Sequence, residues 1–163
     1  MMRIAILFTS MLLAIPAVRA IDTDLHWRWH DSCAACHGYA GDFARKFLSV
    51  DGGELQGVHH VNNLRLFLHN HYLADNEVDA IYNMMLAQAT NQARFKNECA
   101  SCHGTAADFV RSSLELRDGV LYSHDSARSV SSFLEHHRGL TSDDVEFYVN
   151  LLTRIAHEVF GHK

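Results

Sequence analysis

Proline is nearly absent from this chain of 163 residues; the single one, Pro16, stands close to the N-terminus. Cysteine is scarce too, confined to two short stretches, and no methionine follows Met85. Basic charge is in deficit, with 14 Lys and Arg against 19 Asp and Glu and a formal net charge of −5. Each shortage excludes something. The acidic balance speaks against nucleic acid as a partner, which needs a basic face. Beyond the N-terminal segment no apolar run is long enough to span a bilayer as a helix. With no stretch rich in Gly, Ser or Pro to act as a flexible tether, successive parts of the chain are expected to dock rather than swing. The acidic balance fits a protein that meets basic surfaces on a partner.

The N-terminus reads as an export signal over residues 1–20. Met1, Met2 and Arg3 precede an apolar run from Ile4 to Ile15, and Val18-Arg19-Ala20 offers small residues where signal peptidase requires them. The run from Ile4 to Ile15 is too short to cross a membrane as a helix. Cleavage after Ala20 would remove Arg3, Arg19 and the lone proline, taking the net charge from −5 to −7. The expected location is therefore the periplasm, with no transmembrane segment in the mature chain. Four cysteines in an exported protein would ordinarily suggest two disulfides. The spacing here argues otherwise, because the cysteines fall two and two in CAACH (33–37) and CASCH (99–103).

The likeness between these pentapeptides continues past them, at the fixed offset that carries Cys33 to Cys99. CAACHGYAGDFARKFL aligns with CASCHGTAADFVRSSL, pairing Asp42 with Asp108, Phe43 with Phe109 and Arg45 with Arg111. At the same offset Gly53 meets Gly119, Leu55 meets Leu121, Phe67-Leu68 meets Phe133-Leu134, and His71 meets His137. One inserted residue later, Val78 pairs with Val145 and Asn83 with Asn150. Repetition of this length indicates an internal duplication, with units over 21–89 and 90–163.

Each unit reads as helical. An aromatic residue, Trp29 or Phe95, lies one helical turn before the first cysteine, and turns are expected at Asp51-Gly52-Gly53 and Asp118-Gly119. In the second unit LEL and VLY flank that turn as a brief hairpin. A helix then leads to His71 or His137, and Gly139 stops the second one. The last helix begins at Asp75 or at Thr141-Ser142-Asp143-Asp144 and carries an apolar stripe. That stripe is Val78, Ile81, Met85 and Leu86 in one unit and Val145, Tyr148, Val149, Leu152, Ile155 and Ala156 in the other. Units of this size have small cores and need a staple.

Cys-x-x-Cys-His is the signal for covalent haem attachment. One helical turn presents both thiols to the two vinyl groups and directs the adjoining imidazole at the iron. The buried macrocycle then enlarges the core. Thioredoxin-like redox chemistry lacks its βαβ context, and a structural zinc site favours four ligands from paired knuckles. On these motifs the chain resembles a tandem di-haem c-type cytochrome, each half similar to a reduced class I cytochrome c domain. The resemblance implies an all-α fold of two small units around two covalently bound haem c groups. It implies thioethers from Cys33, Cys36, Cys99 and Cys102, with His37 and His103 as proximal iron ligands.

The sixth ligand departs from the methionine usual in that family. The second half has no methionine after Cys102, and Met84 and Met85, opposite Leu151 and Leu152, fit a helix core. His71 stands as far beyond His37 as His137 stands beyond His103, and each follows Phe-Leu at the same distance. They are the expected distal ligands; a plain exposed histidine at a helix end is the alternative. His69, His136, His59, His60 and His124 have no histidine at the matching position. His26, His30, His157 and His162 are expected to be solvated. Arg45 and Arg111 are repeated, and either contact haem propionates or pair with Asp42 and Asp108.

Two imidazoles per iron predict low-potential, low-spin centres. The expected function is electron transfer between a donor and an acceptor redox protein, with no catalytic residues. Two alternatives stay open: binding or reduction of a peroxide or gas at a labile sixth position, and service as the cytochrome subunit of a larger dehydrogenase.

Overall fold

The computed structural model describes residues 23–57, 63–126 and 128–161. The segment read as an export signal, and His59, His60 and His162, lie outside these described residues. The chain forms α1 (Leu25–Ser32), α2 (Ala34–His37), α3 (Ala40–Phe47), β1 (Leu48–Asp51), β2 (Glu54–Gly57), α4 (Leu64–His69) and α5 (Asp75–Thr90). It continues with α6 (Arg94–Glu98), α7 (Ala100–His103), α8 (Ala106–Ser113), β3 (Leu114–Arg117), β4 (Val120–Ser123), α9 (Val130–Leu134) and α10 (Ser142–Phe160). The elements from α6 onward follow the same order as those from α1 to α5. No helix among the described residues is long and apolar enough to cross a membrane.

The architecture is mostly helical, with two small antiparallel sheets of two strands each. This modifies the all-α expectation. β3 and β4 form the hairpin foreseen around Asp118-Gly119, with Leu116 opposite Leu121. β1 and β2 form a matching hairpin that the sequence does not announce, with Val50 opposite Leu55. Its strand residues, LSVD and ELQG, carry a single β-branched side chain. Tertiary contacts supply what propensity does not: Leu55 is buried, and its N–H donates to the buried Tyr82 hydroxyl at 2.8 Å. Gly52 and Gly53 both take positive φ, 56° and 83°, to close the turn.

Local capping explains several helix starts. The Asp24 carboxylate accepts from the N–H groups of His26 and Trp27, Asn63 from Leu66, Ser129 from Ser132, and Thr105 from Asp108. Thr141 and Asp144 satisfy each other's backbone N–H groups as a capping box at the head of α10. At α5 the cap is Ala74 rather than Asp75. Alanine has no acceptor, so Glu77 reaches back to accept from the Ala74 N–H at 2.9 Å.

Buried apolar side chains gather into two clusters. One centres on Trp29, Ala44, Ile81, Tyr82, Met84 and Met85, where α1 and α3 pack on α5. The other centres on Phe95, Val110, Leu114, Tyr148, Leu152 and Ile155, where α8 packs on α10. Both methionines that could compete as iron ligands are core residues, 1% and 2% exposed. Val149 and Leu86, expected within the apolar stripes, are only partly buried.

Polar contacts join the two parts. Arg111 in α8 donates through Nε and Nη2 to Asp24 Oδ2 at 2.9 and 2.6 Å, and its guanidinium lies 5.1 Å from the Trp27 ring. Lys96 in α6 pairs with Asp42 in α3 at 2.8 Å. His26, expected to be solvated, instead faces Glu158 of α10 at 2.9 Å, and Arg154 also pairs with that carboxylate. The cap of α1 and its first histidine are thus both engaged by the second half.

Candidate functional site

Each Cys-x-x-Cys-His stretch is one tight helical turn. The N–H groups of Cys36 and His37 both bond to Cys33 O, at 3.1 and 2.9 Å; those of Cys102 and His103 bond to Cys99 O, each at 3.1 Å. All four cysteines are free thiols, Cys36 and Cys102 exposed, Cys33 and Cys99 half-buried. Burial is the main cause that pushes the Cys33 and Cys99 thiols above their ordinary pKa. Each turn therefore carries one sheltered and one open thiol.

The turn ends at Gly38 or Gly104. Their backbone angles, φ 68° and ψ −154°, φ 70° and ψ −147°, belong to a region open essentially to glycine alone. Trp29 Nε1–H donates to Gly38 O at 2.8 Å and holds the first turn from inside the core. Phe95 occupies the equivalent place in the second half, and its side chain has no N–H to donate.

His37 and His103 lie opposite the histidines selected by the repeat. The rings of His37 and His71 have centroids 6.0 Å apart, and those of His103 and His137 are 6.2 Å apart. Phe43 packs on His37 at 4.6 Å and Phe109 on His103 at 4.5 Å. On the other side Phe67 stacks on His71 at 4.7 Å and Phe133 lies 4.9 Å from His137. All four histidines are half-buried. Burial holds His37 and His137 below the ordinary imidazole pKa, and the facing His71 or His103 adds to the effect. That favours the neutral ring, which is the form that ligates metals.

α4 and α9 deliver the distal histidines. Both helices end just before them, and the N–H groups of His71 and His137 close onto Leu68 O and Leu134 O, each at 3.0 Å. The following residues, Tyr72 and Arg138, both take φ 61°, a left-handed conformation seldom adopted by non-glycine residues. Near-identical backbone therefore presents both histidines.

The other histidines lie elsewhere. His69 pairs with Asp75 at 2.8 Å, His30 with Asp31 at 3.0 Å, and His136 and His124 contact backbone carbonyls of Ser132 and Ser112. His157, expected to be solvated, is half-buried on α10. Among the described residues no group of three or more His, Cys, Asp or Glu side chains converges as a metal site. Arg45 pairs with Asp42 at 3.1 Å, and Arg111 with Asp108 at 2.6 Å as well as with Asp24. Both arginines thus lie beside their aspartates, and Arg111 also serves the contact between halves.

One repeated pair escaped the sequence reading. Arg28 bonds Glu77 at 2.6 and 3.1 Å, and Arg94 bonds Asp144 at 2.7 Å. Each links the helix before the motif to the head of the last helix. The signal was present, since the arginines share the offset of the motifs. It was obscured because the acids lie beyond the one-residue insertion and differ in type.

The residues fit a haem at both places on distance alone. An imidazole nitrogen lies about 2.0 Å from a metal it ligates, so ring separations of 6.0 and 6.2 Å leave room for one metal ion between each pair. The flanking Phe67 and Phe133 are 45% and 43% exposed, leaving apolar surface beside each pair for a macrocycle to cover. Comparison with known protein families, characterised proteins and solved structures gives no match to this chain.

Proposed function

We propose that this chain is a di-haem c-type cytochrome that carries single electrons between redox proteins. The observation behind this reading is the twofold pairing of a motif histidine with a partner at equal sequence distance. His37 meets His71 and His103 meets His137, at ring separations of 6.0 and 6.2 Å. In this reading the chain arose by internal duplication, and its units over 21–89 and 90–163 each hold one haem. Cys33, Cys36, Cys99 and Cys102 would hold the two groups covalently, and His37, His71, His103 and His137 would ligate their iron. A haem so held supplies reversible one-electron exchange at its iron. The protein's part is to fix four imidazoles, to wall them with Phe43, Phe67, Phe109 and Phe133, and to keep water from them. The exported location and the basic docking face on a partner belong to the same proposal.

Two imidazoles lack the thioether that raises potential in His/Met sites, so both centres are expected at low potential. An absorption and electron paramagnetic resonance (EPR) spectrum of the exported, haem-loaded protein tests the ligation. Two haems per chain with low-spin bis-imidazole signals are expected. A redox titration placing both centres at the high potentials of His/Met cytochromes would overturn it.

A further inference from the structure

We propose that an arginine latch in each half holds the distal histidine in place, so that Arg28 and Arg138 are positioning residues for His71 and His137. The inference rests on the ligation proposed above. Tyr72 and Arg138, immediately after the two histidines, sit in left-handed backbone at φ 61°. Such a conformation is strained in a non-glycine residue and persists only where its surroundings enforce it. In each half a guanidinium supplies the enforcing contact across the mouth of the site. Arg28 Nη2 donates to Tyr72 O at 3.2 Å, and Arg138 Nη1 donates to Glu98 O at 2.8 Å.

The two contacts join equivalent places with opposite polarity. In the first half the arginine belongs to α1, where it is braced by Glu77 and Ser32, and it reaches to the residue after His71. In the second half the arginine is itself the residue after His137, and it reaches back to Glu98, the counterpart of Ser32, directly before Cys99. Glu98 is in turn fixed by Arg94 at 2.9 Å and by the Tyr148 hydroxyl. Two different residues thus close the same gap between the attachment turn and the distal segment. Both solutions restrain the turn that aims the histidine, and each acts through the backbone of the ligand's neighbour.

Carbon monoxide reports this directly, because in the reduced protein it binds only after a distal histidine leaves. The experiment uses the haem-loaded full chain, reduced and mixed with carbon monoxide, in the parent and in Arg28→Gln, Arg138→Gln and the double variant. Each single variant is expected to accelerate binding about 10-fold for half of the absorbance change, and the double variant for all of it. Asp42→Asn, which weakens a pair with Lys96 outside either site, should leave the rate unchanged. Haem content and far-ultraviolet circular dichroism check that each variant is folded, and Arg138→Lys, which keeps the charge and one donor, should restore much of the parent rate. Unchanged rates in both single variants, or acceleration of both haems by either one, overturn the latch. An oxidised parent without two bis-imidazole EPR signals overturns the ligation and the latch with it; two such signals with unaltered kinetics overturn the latch alone.

Discussion

Gly38 and Gly104 are where each motif turn gives way to the next helix, and their backbone angles are closed to residues with a Cβ except under strain. A Cβ built on Gly104 meets nothing within 4 Å, so the whole cost of replacing it is conformational. Gly104→Ala is expected to destabilise the protein by about 1–3 kcal/mol, read from the midpoint of urea unfolding. An unshifted midpoint would mean that the turn has another conformation available. Trp29 makes a second prediction at the same scale. It is buried, its place is taken by Phe95 in the other half, and its indole donates to Gly38 O. Trp29→Phe should therefore keep the proposed haem attachment and lose about 1–2 kcal/mol, from one buried hydrogen bond and a small cavity. A loss of attachment would show that the indole does more than brace the turn.

Between elements, the repeated ion pairs do the joining. Arg28 and Glu77 couple the helix before the first motif to the head of α5, with side chains 25% and 17% exposed. Glu77 also caps α5 through Ala74 N–H, and Arg28 is the principal cause of its lowered pKa. A double-mutant cycle with Arg28→Gln and Glu77→Gln should give a coupling of about 1 kcal/mol, above the value typical of exposed pairs because the geometry is bidentate and partly buried. A coupling indistinguishable from zero would reduce the pair to a surface contact. The same scale shows what the amino-acid order conveys. His71 and His137 were legible because a fixed register carried them past rivals such as His69 and His136, and the structure brings each opposite its motif histidine. The β1–β2 hairpin was not legible, because its order comes from the burial of Leu55 and from the distant Tyr82, and not from strand propensity. Nor was the contact of His26 with Glu158, since nothing local to either residue specifies a partner at the other end of the chain.

Across the whole molecule, and among the described residues, four carboxylates and the two histidines held neutral by burial carry the dependence on acid. Asp42, bridged to Lys96 between the halves, titrates below its ordinary range, chiefly through that lysine. Glu77 does so through Arg28, and Glu98 through Arg94 with help from Tyr148. Asp144 falls to about 2, held first by the Thr141 hydroxyl and then by Arg94. Each group is more acidic folded than unfolded, so the unfolded chain takes up protons first as the solution is acidified. The carboxylate stabilisation is complete above about pH 5, where both states are ionised, and declines as pH falls through the unfolded and then the folded values. The carboxylate share of the urea midpoint should therefore be constant down to about pH 5 and fall progressively toward about pH 3; His37 and His137, held neutral in the fold, add a separate loss between about pH 7 and about pH 5 as the unfolded imidazoles protonate first. Asp42→Asn and Asp144→Asn should each lower the plateau and shallow the decline, because each removes one group that the unfolded state protonates earlier. Asp42→Asn carries the further expectation that the contacts with Lys96 and Arg45 weaken while both histidine pairs stay intact, since Lys96 and Asp42 meet outside either site. A decline equally steep in both variants would assign the acid sensitivity to other groups and remove these carboxylates from the account.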